Sequence, residues 1–134
     1  MNHHARILVT GSRNFGAQPG DAALMQHALI QFQQMLLNQG AREITLVHGA
    51  ARGADQLAGE IGRTLGMHIE PHPANWNAYG KRAGYLRNQA MVDAGADVVL
   101  AFPVGRSRGT RMCMRLAFEA GLTVYNITEQ APQY

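Results

Sequence analysis

The stretch Glu43-Ile44-Thr45-Leu46-Val47-His48-Gly49-Ala50-Ala51-Arg52-Gly53-Ala54-Asp55 decides how the chain is read. Its first half is a short, nearly continuous apolar run, the pattern of a strand covered on both faces. The run breaks at Gly49 into small residues and one arginine. From about Asp55 the apolar residues Leu57, Ala58, Ile61 and Leu65 recur at helical spacing. Strand, glycine-rich turn and helix in immediate succession are the repeating unit of a parallel α/β sheet.

The same unit recurs on either side. Strands are expected at Arg6–Thr10, Glu43–His48, Met67–Pro71, Asp97–Phe102 and Thr123–Ile127. A first helix starts near Asp21, read as its N-cap, with a stripe of Met25, Leu29, Phe32 and Leu36 and with Ala28 and Met35 alongside. A third helix carries Ala83, Leu86, Ala90, Met91 and Ala94. A fourth begins near Thr110 and carries Met112, Leu116, Ala117 and Ala120. Each helix stops at a glycine (Gly40, Gly66, Gly95, Gly121), which accepts the left-handed conformation that ends helices. The expected fold is α/β, a Rossmann-like open parallel sheet of five strands with helices on both faces. One domain spans residues 1–134, with 129–134 as a tail.

Bulk properties agree with a folded chain: 134 residues, 46% hydrophobic and 16% charged. A single cysteine, Cys113, excludes a disulfide within the chain and a cysteine-based zinc site. The six histidines lack H-E-x-x-H spacing, so no metal is expected, and no cofactor is implied. No segment resembles a signal peptide or a membrane span, so a cytoplasmic location without membrane contact is expected.

Eleven of the twelve basic residues are arginine, against the lone Lys81. Codon bias explains that total as well as a phosphate ligand does, so position must discriminate. Ligands of open α/β sheets bind beyond the carboxyl ends of the strands. The loops leaving those ends hold Gly11-Ser12-Arg13, Gly49 with Arg52-Gly53, Arg82, and Gly105-Arg106-Ser107-Arg108-Gly109-Thr110; Arg87 and Asn88 follow in the third helix. Glycines admit an anion to the backbone, helix starts offer free N–H groups, and guanidinium forks grip phosphate. Trp76 and Tyr79, in the longest interior loop, either stack on a base or plug the loop onto the sheet edge. His48, at a strand end, either touches ligand or is a satisfied structural histidine.

Several alternatives fail. G-x-x-x-x-G-K-[ST] is absent, and so is G-x-G-x-x-G after the first strand. Gly105–Gly109 fits the G-x-S-x-G nucleophile pattern. However, the last histidine, His72, lies upstream, so that hydrolase order cannot be assembled.

Taken in order, five stretches resemble the SLOG superfamily, which joins the Smf/DprA and LOG proteins, and within it the small YspA-type branch. They are Val9–Arg13, His48–Asp55, Pro73–Trp76, Ala83–Met91 and Ser107–Thr110. The resemblance implies a Rossmann-like domain that binds a nucleotide or ribose-phosphate ligand, as a sensor or a sequestering protein. It also implies a homodimer or larger homo-oligomer, since relatives often dimerise. LOG members cleave the N-glycosidic bond of nucleoside monophosphates, using an arginine and a P-G-G-x-G-T-x-x-E loop. Arg87 matches the arginine. The loop Pro103–Thr110 is longer here, and Cys113 stands at the glutamate's place. A thiol does not replace that carboxylate in acid–base work. Asp55 is the remaining candidate carboxylate, or else a helix cap or a ribose-hydroxyl acceptor. Likeness to DprA through Ala51–Asp55 adds single-stranded DNA as a third partner class, which the pI near 9.5 permits.

Overall fold

A computed structural model describes residues His4–Glu129. Five parallel strands form one sheet: β1 (His4–Gly11), β2 (Glu43–His48), β3 (His68–Pro71), β4 (Val98–Phe102) and β5 (Val124–Asn126). Their order is β3-β2-β1-β4-β5, so the chain reverses its direction of travel between β1 and β4. Register places Leu8 beside Val47 on one side and Val99 on the other.

The alternation of side chains splits the core into two layers. Ile7, Val9, Leu46, Leu100 and Phe102 face Met25, Ala28, Leu29 and Leu36 of α1 (Asp21–Asn38) and Ala58 of α2 (Ala54–Thr64). Leu8, Val47 and Val99 face Met91 and Val92 of α4 (Ala83–Ala94) and Cys113 and Ala117 of α5 (Arg108–Glu119). Burial on both faces is the reason these strands are apolar throughout. Phe32 and Met35 of the expected stripe are only partly buried, and Phe32 instead meets the ring of Tyr125, with centroids 4.8 Å apart. The four stopping glycines all adopt positive φ, as their position requires.

Three local readings change. Asp21 does not cap α1: Gly20 holds that position at φ 90. The Asp21 carboxylate instead accepts hydrogen bonds from the backbone N–H groups of Gly16 (2.8 Å) and Gln18 (3.1 Å), bracing the loop before the helix. The interior loop is not irregular throughout. It folds into a four-residue helix α3 (Trp76–Tyr79), whose Asn75 side chain accepts from Ala78 N–H, and a 3₁₀ turn at Gly80–Arg82. Glu129 does not begin a tail: Arg111 grips it through two N–H groups at 2.9 and 2.7 Å. Residues 130–134 lie outside the described residues.

A bidentate ion pair ties the sheet across two strands. Arg6 on β1 donates to both carboxylate oxygens of Glu70 on β3 (3.0 and 2.8 Å). This contact and His72 hold the Glu70 carboxyl down to about 2.

Phe15 anchors the loop that leaves β1. It is buried and packs on Phe102 at 5.1 Å between ring centroids. Phe15→Ala is expected to cost roughly 3–5 kcal/mol, as for other buried aromatics. Chemical denaturation measures this directly, and a loss under about 1 kcal/mol would mean the loop is held by its backbone instead.

Candidate functional site

The β1 and β4 carboxyl ends diverge at the point where strand order reverses, and a crevice opens there. It has two chambers. The first, about 520 Å³, is lined by Gly11, Ser12, Arg13, Asp55, Trp76, Arg87, Asn88, Gly105, Ser107, Arg108, Gly109 and Thr110. The second, about 370 Å³, is lined by Gly49, Arg52, Arg13, Trp76 and Arg87 together with Ala50, Ala51, Pro73 and Ala74. Gly53 and Tyr79 line neither chamber, and Arg82, expected on the rim, also lies apart from both. Thr10, Asn14, Ala51, Gly84, Met91, Val104, Arg106 and Met112 complete the first chamber. Apart from Arg106, most of these carry small or apolar side chains, which give no sequence signal of a site.

Gly53 has a packing role. At φ 83, it brings the start of α2 against the β1 loop, where a Cβ would collide with the backbone of Ser12 and Arg13. The Ala54 N–H accordingly donates to Ser12 O (3.1 Å), so this helix start has one amide fewer for an anion than the sequence suggests.

His48 is structural. It is buried, and its Nδ1 accepts from the Ala50 N–H at 2.9 Å, which fixes the Nε2–H tautomer. Burial, aided by the neighbouring His72 and Arg63 charges, pushes its pKa below 6.5. The bond holds Ala50 at φ 59, an uncommon conformation for a residue with a side chain.

Asp55 lies at the floor of the first chamber, 6% exposed. Its Oδ2 accepts from the N–H groups of Gly49 (3.1 Å) and Ala51 (3.3 Å). Burial raises its pKa to about 6, against the opposing pull of those amides and of Arg87. Arg87 is braced from two sides. Its Nε donates to Asn88 Oδ1 (2.8 Å), and its Nη1 donates to Gly49 O. The Asn88 Nδ2 continues the chain to Gly109 O at 3.2 Å. One connected set of polar groups therefore joins the β2 loop, α4 and the start of α5.

The α5 start is the expected phosphate loop, and it lies in the first chamber. Ser107 precedes the helix in a left-handed conformation (φ 44, ψ 53), with Arg106 and Arg108 on either side. Among the described residues, two buried side-chain polar atoms lack a hydrogen-bond partner, Asp55 Oδ1 and Ser107 Oγ. Both belong to residues of the first chamber. Cys113 is wholly buried on the following turn, and burial lifts its thiol to about 11. It is therefore protonated at neutral pH and is no substitute for a carboxylate.

Trp76 does not plug the sheet edge. It is 50% exposed, borders both chambers, and passes over Gly84, where a Cβ would lie 3.3 Å from its Cη2. A separate depression of about 630 Å³ runs along α1, lined by His27, Ile30, Gln34, Met35 and Asn38 among others. It has no arginine, lysine or carboxylate and no convergence of polar groups. No helix of the described residues is long and apolar enough to cross a membrane.

A doubly wound parallel sheet with its crevice at the switch point defines the class as a Rossmann-like α/β protein. Comparison with known proteins narrows this. The chain belongs to the YspA, cpYpsA-related SLOG family, whose pattern matches residues 5–79. It is 44% identical over 130 residues to the Gene 61 protein of Mycobacterium phage D29, covering 93% of this chain and 98% of that protein. Among solved structures, it shares its fold with TM1055, a structural-genomics target. That likeness has a TM-score of 0.60 at 17% identity and covers 90% of this chain and 72% of the other.

Proposed function

We propose that the crevice binds a phosphorylated nucleotide or nucleotide-derived ligand, in a sensing or sequestering role. The observation that carries this reading is the pair of orphaned buried oxygens, Asp55 Oδ1 and Ser107 Oγ, in one chamber. An unsatisfied buried polar group costs about 1–3 kcal/mol, and native chains keep few of them. A phosphate at the α5 start accepts from the Ser107 hydroxyl and from the free amides of the first helical turn. A ribose hydroxyl donates to the Asp55 carboxylate. The guanidinium groups of Arg13, Arg106 and Arg108, which have no protein partner among the described residues, supply the countercharge.

Arg108→Ala is expected to weaken binding of a nucleoside monophosphate by roughly 1.5–3 kcal/mol, the worth of a charge-assisted hydrogen bond. Calorimetry across the four common mononucleotides tests it. Unchanged affinity for whichever binds best would remove the phosphate from the α5 start.

One observation favours a second reading, cleavage of the N-glycosidic bond. A carboxyl with a pKa of about 6 in a crevice is suited to proton transfer near neutrality. On this reading Asp55 replaces the carboxylate missing at Cys113. Free base released from a mononucleotide at high protein load, and abolished in Asp55→Asn, would establish it. Absence of free base by chromatography leaves binding alone.

A further inference from the structure

The crevice has more room and more charge than one phosphate requires. Ligand pockets for small molecules occupy about 300–1,000 Å³. The first chamber, at about 520 Å³, lies within that range by itself. The second, at about 370 Å³, also does. A mononucleotide seated at the α5 start would leave the second chamber, and Arg52 with it, without a role.

The two chambers are separate in lining but continuous through Arg13, Ala51, Trp76 and Arg87, which border both. Each end has its own cation. Arg106 and Arg108 serve the first, and Arg52 serves the second. Arg52 makes no side-chain hydrogen bond or ion pair among the described residues, and no carboxylate lines its chamber. Three consecutive backbone amides there are already committed. The amides of Gly49 and Ala51 donate to Asp55, and that of Ala50 donates to His48. The countercharge for an anion in this chamber therefore comes from the guanidinium groups of Arg13, Arg52 and Arg87. Arg87 stands at the junction with Nε and Nη1 engaged, leaving its Nη2 without a protein acceptor.

We infer that the ligand carries two phosphoryl groups on opposite sides of one ribose. One sits at the α5 start and the other in the Arg52 chamber, with the nucleoside between them against Trp76. The chemical class is a nucleoside 3′,5′-bisphosphate, or the same unit within a 5′-phosphorylated dinucleotide. This rests on the phosphate-binding reading above and adds the second anion to it. A half-exposed indole at the junction suits the middle of such a ligand, because an aromatic face accepts any base.

The test is calorimetry with the intact chain. The probes are the four 5′-mononucleotides, the matching 3′,5′-bisphosphates and the matching 5′-phosphorylated dinucleotides. The bisphosphate is expected to bind at least about tenfold more tightly than the monophosphate of the same base. Arg52→Ala removes that advantage and leaves the monophosphate within about twofold, while Arg108→Ala weakens both. Arg52 is exposed, so thermal unfolding should show its variant as stable as the parent. Tighter binding of the dinucleotide than of the bisphosphate identifies a strand end as the source, and the reverse identifies the free small molecule. Equal affinities for mono- and bisphosphate, or equal losses for both in Arg52→Ala, overturn the two-anion inference and leave the single-phosphate reading intact. No binding by any probe overturns both.

Discussion

Asp55→Asn is expected to make the chain more stable at pH 8, by roughly 1–3 kcal/mol, while impairing the crevice. The sign follows from the carboxyl's pKa, which lies near 3.8 in an unfolded chain and about 6 in the fold. A group whose pKa rises on folding stabilises the fold fully below the lower value. That contribution is lost as pH rises through the higher one. At pH 8 the protein therefore bears the cost of an ionised carboxylate in a buried place. Asparagine keeps an oxygen for the N–H groups of Gly49 and Ala51 and discards the charge. Denaturation at pH 4, 6 and 8 should show the gap between the two proteins smallest at pH 4, opening between pH 4 and 6, and nearly level from there to pH 8. His48 acts in the opposite sense in both. Its pKa falls on folding, so its contribution is complete above 6.5 and lost on acidification. A variant less stable than the parent at pH 8 would mean that attraction to Arg87 outweighs burial. The expected gain matters for function, because a stability cost kept in a crevice marks a residue retained for what it binds or does.

The second large effect is expected at Gly49. A Cβ there would stand 2.5 Å from Arg87 Nη1, 2.8 Å from its Cζ and 2.9 Å from Asp55 Oδ2. The methyl of Gly49→Ala must displace a guanidinium that is braced by Asn88 and by the Gly49 carbonyl itself. Overpacking of this kind costs roughly 1–3 kcal/mol. Through Asn88 and Gly109 O, the shift also reaches the α5 start. Binding of a nucleoside monophosphate is expected to weaken by about tenfold or more, as when one charge-assisted contact is lost. Gly109→Ala is the control for stability. A Cβ there meets open space, and an alanine near a helix start is expected to be neutral or to gain up to about 1 kcal/mol. If the two alanines behave alike in denaturation, close approach is not the reason for glycine at position 49.

The candidate site was unevenly legible in the sequence. The Gly105–Thr110 loop was legible because arginine and glycine are conspicuous at the end of an apolar run, and Arg87 because it matches the arginine of the resembling family. Asp55 was legible as a carboxylate at a helix start, but nothing in its neighbours foretold that one oxygen would be left unpaired. Phe15 follows the first strand with no pattern to mark it, yet it is buried against Phe102 and anchors the loop that carries Arg13. Gly53 looked like part of an anion cradle, and the close passage of two loops makes it a packing residue. Asp21 looked like a cap, but Gly20 takes that position and frees its carboxylate to brace the preceding loop.

The sequence by itself determined the alternation of strand and helix, the stops at Gly40, Gly66, Gly95 and Gly121, and the parallel, doubly covered sheet. Those features are local: each follows from periodicity and backbone freedom within a few residues. Strand order, the joining of two chambers at Arg13, Trp76 and Arg87, and the burial of Asp55 were decided only by tertiary structure. They depend on distances between segments tens of residues apart, which side-chain packing fixes and no local pattern encodes.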